Sequence, residues 1–266
     1  DNAGNLSTIT RIVTVADTKI PVVTLIGEAE STHEGGADYV DPGVKLTDNF
    51  DYEIQVMVAN PVDVTKPGDY TITYNATDTS GNKAIEMTRK VTVVDTTGPV
   101  IALVGEAEFT HEGGAPYEDA GATVTDNIDE GLTTTVVNPV DANVPGEYTI
   151  TYNVTDAADN KAAEVTRKVT VVDTTAPVIA INGETEVTIE AGSEYSDAGA
   201  TVADNIDTGL VVVATSTVDT SKPGEYAVAY NVSDAEGNKA TEVTRRVTVV
   251  DTTAPVITVL GEAEVN

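Results

Sequence analysis

Acidic side chains carry whatever chemistry this sequence could perform. The 266 residues hold 44 Asp and Glu against 14 Lys and Arg, a formal net charge of -30, and the acids fall in register. Asp17, Asp95, Asp173 and Asp251 stand 78 residues apart, and with each of the first three recur a DNxD stretch and a D-x-x-x-N stretch. The resulting sets are Asp17, Asp48, Asn49, Asp51, Asp78 and Asn82; Asp95, Asp126, Asn127, Asp129, Asp156 and Asn160; and Asp173, Asp204, Asn205, Asp207, Asp234 and Asn238. Carboxylate and amide oxygens are hard donors. Brought together they repel one another unless a hard cation takes them as ligands, and six to eight such oxygens suit calcium. DNxD is not a twelve-residue EF-hand loop, so any such site has to be assembled from segments distant in the chain.

Other chemistries lack their residues. There is no Cys, hence no thiolate ligand, thiol nucleophile or disulfide. The two histidines, His33 and His111, occupy one repeat position that Ile189 fills in the third copy, which offers neither a zinc set nor a catalytic triad. No glycine-rich phosphate loop accompanies the carboxylates, and no enzyme activity is expected. Fourteen scattered cations give no footprint for nucleic acid or an anionic membrane surface. No apolar run approaches 18 residues and no targeting leader is encoded, so membrane insertion is not expected. With 40% hydrophobic residues the chain should nonetheless fold.

The elements that must position these acids follow from the 78-residue period. Complete copies run 18–95, 96–173 and 174–251; residues 1–17 match the last strand of a preceding copy with one residue deleted, and 252–266 the start of a following one. Within a copy the apolar period is two. In GEYTITYNVTD, from Gly146, the residues Tyr148, Ile150, Tyr152 and Val154 share one parity, the signature of a half-buried strand. It pairs with the run KAAEVTRKVTVV as an antiparallel hairpin, and further β-rich runs lie at 99–104, 121–125 and 132–137. About seven short strands per copy predict an all-β chain of tandem antiparallel immunoglobulin-like β-sandwiches arranged as an elongated rod. Lacking disulfides, each sandwich needs another staple. Arg89, Arg167 and Arg245 share the inward parity of the flanking valines, which predicts a structural ion pair or a bulge that turns them out. Tyr70, Tyr148 and Tyr226 follow the turn into the penultimate strand, where a tyrosine-corner hydroxyl bonds back to the backbone.

In such a sandwich the entry linker and the loops after the second and sixth strands return to one pole. The linker DTTGP, the loop DNID and the loop DAADN should therefore converge at the boundary with the preceding copy, which could add Glu34 or Asp41 at the second junction. The first copy reads DNFDYEI where the others read DNID, and its loop is the one expected to differ.

The segments YEDAGATVTDNID (from Tyr117), PGEYTITYNVTDAADN (from Pro145) and RKVTVVDTTAP (from Arg167) resemble the tandem immunoglobulin-like repeats of bacterial surface proteins, with likeness to hyalin repeats and cadherin arrays. The resemblance implies an extracellular or bacterial cell-surface location, and cadherin arrays place calcium between domains. The expected role is a spacer, or stalk, in an adhesin, with neighbouring repeats as partners and calcium at the junctions. The alternatives are a filament of identical chains completed by strand exchange and a glycan- or protein-binding module; the latter should show an exposed aromatic platform, which the Trp-free sequence does not suggest.

Overall fold

Strict alternation makes strands of the segments with the most inward apolar residues. The computed structural model describes residues 2–258 and 260. In β5 (Gly68–Ala76) Ile72, Tyr74 and Ala76 are buried while Asp69 and Thr71 are exposed, and in β6 (Met87–Val94) Val91 and Val93 are buried on either side of Thr92. Around this hairpin the first copy adds β1 (Val22–Leu25), β2 (Glu30–Glu34), β3 (Val44–Thr47) and β4 (Val56–Ala59). Two sheets result: β1 with β3, and β2-β6-β5-β4. Val23, Ile72, Tyr74, Ala76 and Val91 form the core between them, flanked by Leu25, Tyr39, Val44 and Leu46. Each such side chain contributes roughly 1.5 to 3 kcal/mol when fully withdrawn from water.

The same order recurs. The second copy comprises β7 (Val100–Leu103), β8 (Glu108–Glu112), β9 (Ala122–Thr125), β10 (Thr135–Val137), β11 (Gly146–Asn153) and β12 (Val165–Val172). The third comprises β13 (Val178–Ile181), β14 (Glu186–Glu190), β15 (Ala200–Ala203), β16 (Val213–Ser216), β17 (Gly224–Asn231) and β18 (Val243–Val250). The chain divides into two compact units, Asp1–Ala102, Ala122–Thr135 and Tyr152–Val165 in one and Leu103–Gly121, Val136–Thr151 and Thr166–Asn266 in the other. The fold is all-β, with six strands per copy against an expectation of about seven. One edge is parallel: β2 pairs with β6, β8 with β12 and β14 with β18. The sequence hides this strand because its inward positions are polar in the first copy, Ser31 and His33.

The arginines are the staples. Arg89 is 2% exposed, and no bulge turns it out. Its Nε lies 3.2 Å from Asp41 Oδ1, and Nη1 and Nη2 each donate over 2.7 Å, to the carbonyls of Glu28 and Ile26. Nη2 also donates to Gly43 O at 3.2 Å. One side chain on the last strand thus ties down both loops bordering the two-stranded sheet. Arg167 pairs with Asp119 and Arg245 with Asp197 through Nη1, with Nε taking the loop carbonyl instead. The tyrosine corners form as expected: the hydroxyls of Tyr70, Tyr148 and Tyr226 donate to the carbonyls of Lys66, Val144 and Lys222 at 2.8, 2.8 and 3.0 Å.

Residues 2–17 form no strand, and Leu6, Ile9, Ile12, Val13 and Val15 are exposed. In the complete copies the same sequence lies between two other strands, and an extended segment without ladder partners is not a strand. Residues 252–258 are likewise strandless; of the expected start of a further copy, 259 and 261–266 lie outside the described residues.

Candidate metal centres at the repeat junctions

Each junction is built from a linker and two loops, and in each the same hydrogen bonds do the positioning. At the second junction the linker leaves β6 at Asp95, the loop after β9 carries Asp126 to Asp129, and the loop after β11 carries Asp156 to Asn160. Asp126 Oδ2 accepts from the N–H groups of Ile128 (2.9 Å) and Asp129 (3.0 Å), an Asx turn that fixes the other oxygen. Asp129 Oδ2 accepts from Ala157 N at 2.9 Å, which joins the two loops. Asn160 Nδ2 donates to Asp95 O (3.2 Å) and to Asp156 Oδ2 (2.9 Å), which joins the second loop to the linker.

The outcome is a cluster in which ligand oxygens of Asp95, Asp126 and Asp129 lie within 4.8 Å of one another. At the first junction the group is Asp17, Asp48, Asp51 and Asp78; at the third it is Asp173, Asp204 and Asp207, with a second group of Asp207, Asp234 and Glu236. Asn49, Asn127 and Asn205 stand beside these acids and orient the junction. Asn49 Nδ2 donates to Asp17 Oδ1 at 3.3 Å, whereas Asn127 and Asn205 donate to the carbonyls of Gly35 and Gly113 in the preceding copy, both at 3.1 Å. Asn82 and Asn238 repeat the linker bond of Asn160 at 3.2 and 3.1 Å. Asp156 lies outside the second cluster: its carboxylate accepts from Ala158 N, Asn160 N and Asn160 Nδ2 and is spent on its own loop.

The residues fit a hard cation because several buried oxygens have nothing to bind. Asp17 Oδ2, Asp48 Oδ2, Asp95 Oδ1, Asp126 Oδ1, Asn127 Oδ1, Asp173 Oδ2, Asp204 Oδ1 and Asn205 Oδ1 are buried without a hydrogen-bond partner, and Asp173 as a whole is 6% exposed. An unsatisfied buried acceptor costs about 1 to 3 kcal/mol, more when charged. Burial, and then the charges of Asp126 and Asp156, raise the pKa of Asp95 above the ordinary carboxylate value. Glu236 is raised by burial and by Asp207, Asp173 and Asp234. Asp48 goes the other way, because the N–H groups of Asp51 and Phe50 stabilise its charge. Oxygen donors with no nitrogen or sulfur among them are the donor set of calcium.

Three features of the junction differ from the sequence reading. Asp41 is the partner of Arg89, since the parity that buries the arginine demands a carboxylate beside it. The DNFDYEI loop keeps the common turn, with Asp48 Oδ1 accepting from Phe50 N at 2.9 Å and Asp51 N at 3.0 Å, because only Asp48 and the backbone define it. The two loops follow the third and fifth strands of a copy, not the second and sixth, yet still reach the same pole.

Glu34, the other residue expected from the preceding copy, reaches the second junction as a hydrogen-bond acceptor, while its equivalents Glu112 and Glu190, the glycines beside them and Glu236 were not singled out. Glu34 accepts from Thr96 N (2.9 Å), Thr96 Oγ1 (2.7 Å) and Thr97 Oγ1 (2.8 Å), so the preceding copy grips the linker. Glu112 and Glu190 hold Thr174–Thr175 and Thr252–Thr253 alike, and these bonds lower all three pKa values. The signal was the constant Glu of THEGG and TIEAG. Its glycines matter as well: a Cβ on Gly36, at φ +75°, would sit 2.3 Å from Asn127 O, and one on Gly35 2.2 Å from Ile128 Cδ1. Only backbone fits there. Glu236 was legible as an extra acid where the other copies have Ser80 and Ala158.

The sequence profile described as bacterial surface protein, Ig-like domain, matches three times, at residues 23–93, 101–171 and 179–249. The chain belongs to this family of Ig-like domains. Among curated relatives, hyalin of Strongylocentrotus purpuratus is 34% identical over 272 residues, covering 93% of the chain and 22% of that protein. Hyalin of Lytechinus variegatus is 32% identical, covering 98% of the chain and 53% of the relative. Internalin I of Listeria monocytogenes serovar 1/2a is 29% identical, covering 91% and 14%. These Ig-like repeats therefore span about half the length of one such relative and far less of the others. No helix among the described residues is long and apolar enough to cross a membrane.

Proposed function

We propose that the chain is a spacer segment, or stalk, of a large extracellular adhesion-type protein of the bacterial surface, stiffened by calcium at its junctions. Each 78-residue copy, 18–95, 96–173 and 174–251, is then one domain, and its partners are the neighbouring copies. The observation that carries the reading is the set of buried carboxylate oxygens without partners at every junction, gathered from a linker and two loops. At the second junction Asp95, Asp126 and Asp129 would hold the ion, with Asn127 Oδ1 and Asp156 close by. When bound, calcium supplies the positive charge that turns mutual repulsion of these carboxylates into cohesion. The chain's own residues do the rest: Asn160 fastens the linker, Glu34 grips Thr96 and Thr97, and Gly36 lets the next copy's Asn127 approach. The family and relatives support the surface assignment; no chemistry of bond breaking is assigned to the chain.

The test compares thermal melting and solution scattering of the full chain in calcium and in EDTA, for the parent and for Asp126→Asn with Asp129→Asn. The parent should melt higher and scatter differently in calcium, and the double variant should respond less. Identical melts and profiles in both buffers for the parent would return these loops to the status of solvated turns.

A further inference from the structure

The second and third copies share a cleft, about 330 Å³ in the third, but where Val187 and Ile189 line it there the second copy presents Phe109 and His111. Beside β8 lies a cavity of about 300 Å³, walled by Phe109, His111 and Tyr117 and rimmed by Glu106 and Glu118. The three rings form one cluster: centroids are 6.5 Å apart for Phe109 and His111, 6.0 Å for Phe109 and Tyr117, and 5.4 Å for His111 and Tyr117. His111 Nε2 is held by Ala115 O at 2.8 Å, and the Tyr117 hydroxyl donates to Asp119 at 3.2 Å, so two of the three rings are anchored through a polar atom, and all three line the cavity. Arg167 also lines it, its charge paired with Asp119 and its Nε and Nη2 donating to backbone carbonyls.

The sister copies act as internal controls. Where β8 has Phe109, 47% exposed, β2 has Ser31 and β14 has Val187, both half-buried. The fold therefore does not need a large ring here. Aromatic faces carry negative potential and attract cations. Glu106 and Glu118 form no ion pair among the described residues, and both stand at the mouth of the cavity on a chain of net charge -30. An anionic occupant is thereby disfavoured. A primary ammonium would want hydrogen-bond acceptors inside, where His111 Nε2 and the Tyr117 hydroxyl are already engaged. A methylated ammonium needs only faces and nearby negative charge.

We propose that this cleft of the second repeat binds a methylated ammonium group, a role separate from the spacer reading. The test titrates choline into the full chain and follows the ring resonances of Phe109, His111 and Tyr117 by NMR. One saturable site is expected, with Kd on the order of 1 mM. Phe109→Ser and Phe109→Val install the residues of the sister copies, so the strand should fold, which a melt checks; each should weaken binding by at least about fivefold. Glu106→Gln with Glu118→Gln should weaken it without altering the rings. The uncharged isostere 3,3-dimethylbutan-1-ol should bind several-fold more weakly. The proposal is overturned if choline gives no saturable shift, if it shifts the Phe109→Ser protein equally, or if the uncharged isostere binds as well as choline.

Discussion

Asp197 and Asp173 are both withdrawn from water in the second compact unit, and their surroundings are opposite. Asp197 accepts from the hydroxyls of Tyr230 and Tyr195, from Gly199 N and from Arg245. Asp173, 6% exposed, shares its cluster with Asp204 and Asp207 and keeps one oxygen without a partner. The first carboxylate has its cation covalently supplied by the chain; the second is placed among its like. A protein with no disulfides uses the first arrangement to lock a domain. The second arrangement costs stability unless something diffusible arrives, which makes it suited to a boundary that responds to its surroundings.

The largest effect should come from breaking the satisfied pair. Arg245→Ala leaves Asp197 half-buried without its cation and the loop carbonyls without their donor, and should cost about 3 kcal/mol, read as an earlier urea transition. Replacing both partners by leucine should recover only part of that loss, because it removes the uncompensated charge but leaves the hydroxyls of Tyr195 and Tyr230, Gly199 N and the carbonyls of Glu184 and Asn182 without these partners. A loss no larger than that of a surface substitution would show that Arg245 is not the staple.

The junction should respond in the reverse sense. Asp126→Asn with Asp129→Asn removes repulsion, so in EDTA the variant should be at least as stable as the parent. In calcium it should forfeit the parent's gain, about 2.7 kcal/mol when the ion stands a hundredfold above Kd. Removing charge at Arg245 should hurt under all conditions; removing it at the junction should hurt only when calcium is present. A variant destabilised equally in both buffers would make these carboxylates ordinary turn residues.

Much of this contrast was legible in the sequence, and the unread part has physical causes. Period-two alternation located β5 and β6 and their inward arginine, and the repeat brought Asp95, Asp126 and Asp129 to one pole. The parallel strand β2 was invisible because ESTHE carries no apolar alternation, whereas EVTIE in β14 does. Choosing between Glu34 and Asp41 needed the register that puts Asp41 beside Arg89, which no local pattern encodes. The aromatic cluster of the second copy was unexpected because EFTHE carries no clear apolar alternation, so the strand that sets Phe109 and His111 on one face was not read.

A smaller effect tests the rigidity that the comparison takes for granted. The Tyr148 hydroxyl donates to Val144 O at 2.8 Å at a half-buried position. Tyr148→Phe should cost about 0.5 to 1.5 kcal/mol, the net worth of an ordinary hydrogen bond, seen in the melt of the chain. No change at all would remove the corner from the set of structural devices.

The smallest effect is also the most discriminating, because pH should act on the two kinds of carboxylate with opposite sign. Although burial pushes Asp197 up, hydrogen bonds from Tyr230, Tyr195 and Gly199 N and the charge of Arg245 bring it below the ordinary value of 3.8. A depressed folded-state pKa contributes stability that is complete above the unfolded value and is lost as pH falls through the folded one. Asp95 is raised above 3.8 by burial and by the charges of Asp126 and Asp156. Its contribution is therefore a destabilisation, absent below the unfolded pKa and complete once pH has risen past the folded one. In EDTA, acidification from neutrality should first protonate Asp95 and relax the junction, and only at lower pH reach Asp197 and loosen the third copy. Carboxyl-carbon NMR titration of both residues measures this order directly. Asp197 titrating above Asp95 would mean that the junction is no more crowded with charge than the interior pair, and the distinction between a supplied and an awaited cation would collapse.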